Sequence, residues 1–384
     1  MEPFSLPEEL ELFRKAAREV CDERIAPRAA EIDATDEFPH DVHQVLVESE
    51  LMAVGYPEEH GGAGGGSLSV AVLVEEVARA SASVSLIPLV SRLGAIPVML
   101  AGTKEQKDDL LGGISRGEHQ MSYGLTEPGA GSDAISMQTR YERADSGFRL
   151  NGAKRFITNA GVSDRVTVFA TRDPEERSKG ISAFVVHDDD AGFSVGKSER
   201  KMGIRGSPTR ELYFENVELP GDRLIGDEGQ GFSHAMRTLD YSRPTIAAQA
   251  LGIAQGAFEA AARYSREREQ FGAPIGDLQG VQFLLADMAI QVEAARLLTY
   301  KAAAACDAQD PRLTYLASIA KTHASDTAMQ VTTDAVQVLG GYGYMREYGV
   351  ERMMRDAKIT QLYEGTNQIQ RVVIARQIAK ALGG

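Results

Sequence analysis

The string Tyr123-Gly124-Leu125-Thr126-Glu127-Pro128-Gly129-Ala130-Gly131-Ser132-Asp133-Ala134 decides how the chain is to be read. Its second half spells G-x-G-x-x-A behind the strand-like residues 121–126, the fingerprint of a dinucleotide-binding βαβ unit. That fingerprint works only where a helix begins at the glycines and aims its N-terminus at a pyrophosphate. Residues 135–143 alternate as a strand instead. A Rossmann fold is therefore rejected, and the glycines and hydroxyls are available to bring backbone N–H groups against a flat ring.

Outward from this string the hydrophobic period changes twice. Before it, from residue 1 to about 119, apolar residues recur at three and four positions, as in Leu10, Phe13, Ala17 and Val20, or Val42, Val45 and Leu46. Pro88 within 85–93 should start or kink a helix, and His60-Gly61-Gly62-Ala63-Gly64-Gly65-Gly66, lacking the Lys-Ser/Thr of a P-loop, reads as a flexible connector. Around and after the string, the β-rich runs 136–143, 148–150, 155–158, 166–171, 181–186 and 212–217 are separated by Gly, Asp, Asn and Pro. From about 228 long helical patterns return over 232–266, 278–305, 311–339 and 368–382. The expected fold is α+β: an N-terminal helical domain (1–119), a middle antiparallel β domain (120–227) and a C-terminal helical domain resembling a four-helix bundle (228–384).

Composition narrows the function classes. The 384 residues are 43% hydrophobic and 25% charged, with a net charge of −14, which argues against nucleic acid or an anionic membrane as partner. Cys21 and Cys306 lie in separate helical patterns, so neither a disulfide nor a zinc site is expected. His40 and His43 would share a helical face but have no ligand-spaced Cys beside them, and no metal is expected. Glu2, Pro3, Glu8 and Glu9 stand where a leader would carry basic residues, and no apolar run reads as a membrane span; the expected location is cytoplasmic.

A second string near the C-terminus, Tyr363-Glu364-Gly365-Thr366-Asn367-Gln368-Ile369-Gln370-Arg371, sets an acid between an aromatic and a glycine ahead of a helical run. Glu364 can be a surface acid complementing a helix dipole. Equally, a carboxylate projecting from a glycine turn can remove a proton beside a carbonyl if another group accepts the second hydrogen.

Together these strings resemble the acyl-CoA dehydrogenase family: the Tyr123–Asp133 string is similar to its flavin-binding signature and the Tyr363 string to its catalytic-base segment. Further matches follow in order at Lys154-Arg155-Phe156-Ile157-Thr158-Asn159, Lys179-Gly180-Ile181-Ser182-Ala183-Phe184, Arg268-Glu269-Gln270-Phe271-Gly272 and Gln337-Val338-Leu339-Gly340-Gly341. The resemblance spans nearly the whole chain. It implies FAD, with Tyr123, Leu125, Thr126, Gly131 and Ser132 along the isoalloxazine or its ribityl side, and Phe156 and Thr158 at the ring. Many family members carry Trp where Phe156 stands, and this chain has no Trp. Arg268, Gln270, Phe271, Gln279, Gln337, Gly340 and Gly341 match positions that reach the FAD of a neighbouring subunit, implying an oligomer, expected as a homotetramer; Thr366 and Gln368 match residues closing over the dinucleotide. Locally, Phe156 reads as well as a core aromatic, Arg268 as a solvated helix-end charge, and Asp240 with Arg243 as an ordinary i,i+3 pair. By resemblance, Ser132, Ser182, Asp240, Arg243, Tyr363 and Gly365 contact the acyl-CoA substrate.

The implied reaction is α,β-dehydrogenation of an acyl-CoA thioester with Glu364 as base, the β-hydrogen leaving as hydride to the flavin and electrons passing on to an electron-transfer flavoprotein. Some members carry the base at the position of Ser242, where serine cannot serve. Residues 83–91 hold no charge and Arg92 reads as exposed or structural, so a short or medium uncharged acyl group is expected. The Lys201–Ser207 and Gln249–Gln255 strings look most like short-chain members. Alternatives are a flavin oxidase or monooxygenase on the same fold, a nitroalkane-oxidising relative needing an Asp base, or a non-catalytic acyl-CoA-binding paralogue expected to lose one of the strings.

Overall fold

The computed structural model describes residues 6–383; Glu2 and Pro3 lie outside the described residues. Helices come first: α1 (Glu8–Val20), α2 (Ala29–Thr35), α3 (His40–Glu48), α4 (Ser67–Ala80), α5 (Ala82–Ala101) and α6 (Lys104–Ser115). Strands follow as β1 (Met121–Gly124), β2 (Arg140–Ala144), β3 (Gly147–Thr158), β4 (Arg165–Thr171), β5 (Ile181–His187), β6 (Phe193–Val195), β7 (Thr209–Pro220) and β8 (Leu224–Ile225). After them run α7 (Gly231–Glu267), a hairpin of β9 (Glu269–Gln270) and β10 (Ala273–Pro274), then α8 (Gln279–Asp307), α9 (Leu313–Leu339), α10 (Val350–Thr360) and α11 (Asn367–Ala381).

The order of helices, strands and helices is as the changing period implies, with local differences. No helix follows the glycine string; Ala134–Ser136 is a single 3-10 turn and the strand begins only at Arg140. The delay has a cause. The Glu127 carboxylate accepts from the N–H groups of Gln138 and Thr139 at 2.6 and 2.9 Å, taking donors a strand would have used. The expected runs 148–150 and 155–158 are one strand, β3, and α10 is a helix the apolar pattern did not separate from its surroundings.

The sheet runs β6-β7-β3-β2-β4-β5-β8, mostly antiparallel, but β1 pairs with β4 in parallel, Met121 opposite Arg165. Between Lys154 and Ile157 the register of β3 against β7 slips, and in that bulge Phe156 adopts a left-handed backbone with φ 58°. A β-bulge re-aims a side chain. The N–H of Arg155 is turned to the carbonyl of Thr126, 2.8 Å away, which ties the bulge to the glycine and hydroxyl string.

Three apolar cores hold the parts together. One fills the C-terminal helices with α4 and part of α5; a second joins the N-terminal helices to one side of the sheet; the third lies among Tyr141, Phe148, Phe184 and Phe214. Helix α5 contributes Leu86, Leu89 and Val90 to the first core and Val84 and Ile87 to the second. That double duty makes it apolar all round. By length and composition it could cross a membrane, contrary to the expectation that no run approaches a span, yet 78% of its apolar window is buried inside the protein. It begins at Ala82 with Ser81 as its cap and runs through Pro88 unbroken, so Pro88 does not start it. Arg92, on the same helix, is not exposed: it is buried and donates to the carbonyl of Gly55.

The glycine run at 60–66 is not a loose connector. The Gly55 N–H donates to the Gly64 carbonyl, and the N–H groups of Gly62, Ala63 and Gly64 donate to the carbonyls of Pro57, Ala53 and Tyr56, closing the loop on the segment before it. A side chain on Gly62 would strike the Tyr56 carbonyl at 2.2 Å, so glycine is required there by contact.

Candidate active site

The segment between α10 and α11 turns through two consecutive left-handed residues, Glu364 with φ 50° and Gly365 with φ 94°. For glutamate that conformation costs roughly 1–2 kcal/mol, so the surroundings must hold it. Gln370, fully buried on the first turn of α11, donates to the carbonyls of Glu364 and Gly365 at 3.1 and 3.2 Å. Lys321 of α9 donates to the Gly365 carbonyl at 2.8 Å, and Thr366 caps α11 by accepting from Ile369 N–H. The turn is over-determined, and the acid it carries points in a set direction.

That direction is into the protein. Ser242 of α7 donates from Oγ to Glu364 Oε2, and Arg243 and Lys321 lie close enough for their charges to act on the carboxyl. Burial pushes the Glu364 carboxyl up to about 7, against the opposing pull of the Ser242 hydroxyl, Arg243 and Lys321. Half-buried and hydrogen-bonded to the buried Ser242, Glu364 is not the solvated surface acid of the alternative reading. An acid with that affinity for a proton is matched to proton transfer near neutral pH.

The remaining expected residues fall in two places and several states. Tyr123, in β1, is packed edge-on against Phe169, and its phenol is driven well up by burial and by Glu364 beside it. Leu125 is buried, Thr126 and Thr158 half-buried, and Gly131 and Ser132 exposed; a Cβ on Gly131 would meet nothing within 4 Å. Phe156, 58% exposed, stands out of its bulge with the Arg155 guanidinium 5.0 Å from the ring centre. It is not a core aromatic. Tyr363 donates its hydroxyl to Gln249 Oε1, and Gln249 Nε2 in turn donates to Ser85 Oγ at 3.0 Å, joining the turn to α7 and α5. Arg243 pairs with Asp240 at 2.7 Å, and Asp240 also accepts from Thr314 Oγ1 at 2.6 Å. The Arg243 Nε is buried without a hydrogen-bond partner among the described residues. Ser182 is fully buried and already engaged, donating to Tyr141 and accepting from Gly229 N–H.

Arg268, Gln270, Gly340 and Gly341 come together elsewhere, around a cavity of about 610 Å³ beside Tyr264 and Tyr342. None of Tyr123, Leu125, Thr126, Phe156 or Thr158 lines it. Phe271 is 93% exposed with a left-handed backbone, and Gln279, Gln337 and Gln368 are open to solvent. Gly365 is half-buried in the turn already described.

Sequence reasoning missed Lys321, Gln249, Asn367 and Gln370, which build the turn's support. A signal was present for the first: Lys321 interrupts the buried small-residue stripe Ala317, Ala320, Ala324, Ala328 of α9. A lysine on a core stripe has a reason to be there.

The helix–sheet–helix chain that carries the half-buried Glu364 carboxyl matches one group of oxidoreductases throughout. Three family profiles cover it: the acyl-CoA dehydrogenase N-terminal domain over 7–118, the middle domain over 122–217 and the C-terminal domain over 229–379. A probable acyl-CoA dehydrogenase of Mycobacterium bovis is 52% identical over 98% of this chain and 97% of its own length. Butyryl-CoA dehydrogenase from Megasphaera elsdenii superposes with a TM-score of 0.95 at 43% identity, covering 98% of this chain and 99% of that one. A chain from structural work on the electron transferring flavoprotein of Acidaminococcus fermentans and flavin-based electron bifurcation superposes equally, TM-score 0.95, at 44% identity and the same coverage. The chain belongs to the acyl-CoA dehydrogenase family, a family of flavoproteins, and is an oxidoreductase of that kind.

Proposed function

We propose that this protein carries FAD and removes the α- and β-hydrogens of a short- or medium-chain, uncharged acyl-CoA thioester, giving the trans-2-enoyl-CoA, with Glu364 as base. The observation that carries this reading is the half-buried Glu364 carboxyl, aimed by a locked turn onto the Ser242 hydroxyl and lifted to about 7. Ser242 occupies the alternative base position and serves the base as a hydrogen-bond donor.

The residues fit a flavin. Phe156 offers an exposed aromatic face, Thr158 ends the same strand, Thr126 is tied by its carbonyl to the neighbouring Arg155 N–H, and the bare backbone at Gly131 leaves room for close approach. When bound, FAD supplies the acceptor for the β-hydrogen. Glu364 takes the α-proton, and its own N–H polarises the thioester oxygen. Asp240, Arg243, Ser132 and Gly365 orient the thioester, and Tyr363 packs beside the acyl group. Ser182, whose hydroxyl is engaged, contributes wall. The choice of a short acyl group is supported by the polar bridge Tyr363–Gln249–Ser85, which places hydrogen-bonded groups where a long tail running between α5 and α7 would need apolar space.

Arg268, Gln270, Phe271, Gln279, Gln337, Gly340 and Gly341 are assigned to the FAD of a neighbouring copy, with Thr366 and Gln368 closing over the dinucleotide; the working form is a homotetramer in the cytoplasm, and the electrons leave to an electron-transfer flavoprotein. The gathering of Arg268, Gln270, Gly340 and Gly341 around a cavity that no residue of the Phe156 group lines supports that division. The test is anaerobic mixing of the yellow protein with butyryl-, octanoyl- and palmitoyl-CoA. Bleaching by the first two and not by the third is expected; a colourless protein, or bleaching by palmitoyl-CoA alone, would overturn the assignment.

A further inference from the structure

Lys321 has no place in the proposed chemistry, yet it is a fully buried lysine in the middle of α9. Its ammonium donates to the Gly365 carbonyl at 2.8 Å and to Asn367 Oδ1 at 2.9 Å, and forms no ion pair with a carboxylate among the described residues. Asn367 is held in turn, donating to Ser325 and Asp326, both at 2.8 Å. Removing a charge from water with only two neutral oxygens as partners is costly unless a charge of opposite sign stands near. The charged groups that act on Lys321 are Glu364, which favours its protonated form, Arg243, which opposes it, and Asp326, which favours it. Those that act on Glu364 are Arg243 from α7 and Lys321 from α9, with the Ser242 hydroxyl from α7. The Tyr123 and Tyr363 phenols face it too, kept neutral by burial.

We propose that Lys321 is the positioning residue of the base: its ammonium pins the Gly365 carbonyl, so fixing the left-handed turn that aims Glu364, and its charge favours the ionised carboxylate. The proposal rests on the reading of Glu364 as the base only for its catalytic consequence. Burial lowers the Lys321 ammonium to about 7, close to the Glu364 carboxyl, so each group's protonation governs the other's over the same pH range.

The test is a double-mutant cycle of Glu364→Gln and Lys321→Gln, followed by thermal unfolding across pH 4–10. Lys321→Gln keeps a donor for the Gly365 carbonyl and removes the charge. In the wild type, Glu364 costs stability as pH rises from its unfolded value towards 7, a loss absent from Glu364→Gln. Without Lys321 that loss should extend upward by roughly one pH unit, the effect of one nearby opposite charge. The acid limb of the butyryl-CoA half-reaction should move upward by the same amount. A window and limb that stay put, with only a uniform fall in melting temperature, would assign Lys321 a purely structural role and overturn the proposal. Should Lys321→Gln not fold, the reciprocal reading comes from wild type against Glu364→Gln. The gain in stability above neutral pH from the buried lysine should begin at lower pH once the carboxylate is gone, and coincident curves would overturn the coupling. Because unfolding needs no turnover, failure of the thioester reaction leaves this outcome readable.

Discussion

Ser242 Oγ of α7 donates a hydrogen bond to Glu364 Oε2, across 122 positions of sequence. A hydroxyl that donates to the ionised carboxylate favours ionisation, so the pair holds the acid below where burial alone would put it. Ser242→Ala should therefore raise the carboxyl further above 7. Activity should fall several-fold at pH 6 and little at pH 9, and the pH profile of kcat/KM, with its acid limb moved up, is the check.

Glu364→Gln keeps the size of the side chain and removes the base. The half-reaction with butyryl-CoA should slow by about 10² to 10⁴ or more while the thioester still binds, because the loss is confined to proton transfer. Rapid-mixing spectroscopy of flavin bleaching, beside a binding titration, separates the two. Stability moves the other way. A carboxyl raised from 4.5 to about 7 on folding stabilises fully only below 4.5, and that contribution is lost as pH rises to 7. At pH 8 the Gln variant should melt higher than the wild type, and at pH 4 the two should agree.

Lys154 is fully buried in β3, 2.7 Å from the buried Glu127 carboxylate, and its ammonium is lowered by burial to about 8. Glu127 also accepts from the N–H groups of Gln138 and Thr139, so one carboxylate ties the glycine string to β3 and to the segment leading into β2. Removing one partner of a buried pair typically costs about 3–5 kcal/mol. Glu127→Gln should destabilise on that order and loosen retention of the yellow cofactor, read by chemical denaturation and by flavin released on gel filtration.

Tyr363→Phe deletes the hydroxyl that meets Gln249 and leaves a buried amide oxygen unpaired, a loss of about 1–3 kcal/mol. Denaturation midpoints measure it. If the polar bridge limits the acyl pocket, the variant's preference should also slide from butyryl- towards octanoyl-CoA.

How much of this was legible beforehand follows from the range over which each signal acts. The change of period at the glycine string and the strand-like residues after it were enough to reject a nucleotide-binding helix, because both are local. The start of β2 at Arg140 was not readable, since it depends on Glu127 capturing two amides eleven and twelve residues away. Glu364 stood out through its neighbours Tyr363 and Gly365. Its supports did not, because Ser242, Gln249 and Lys321 reach it from helices far off in sequence. For Arg92, read as exposed or structural, the sequence could not choose between the two, because the hydrogen-bond partner that makes it structural, Gly55, lies 37 residues earlier.

Helix α5 carries a consequence for synthesis on the ribosome. The chain makes this greasy segment some 130 residues before α7, whose Ile246, Ala247 and Ala250 share a core with its Leu86, Leu89 and Val90. Until α7 emerges, the face carrying Leu86, Leu89 and Val90 lacks part of its cover. Nascent chains halted within the sheet should be sticky, chaperone-bound species, and only release of the completed C-terminal helices turns them into a free-standing protein.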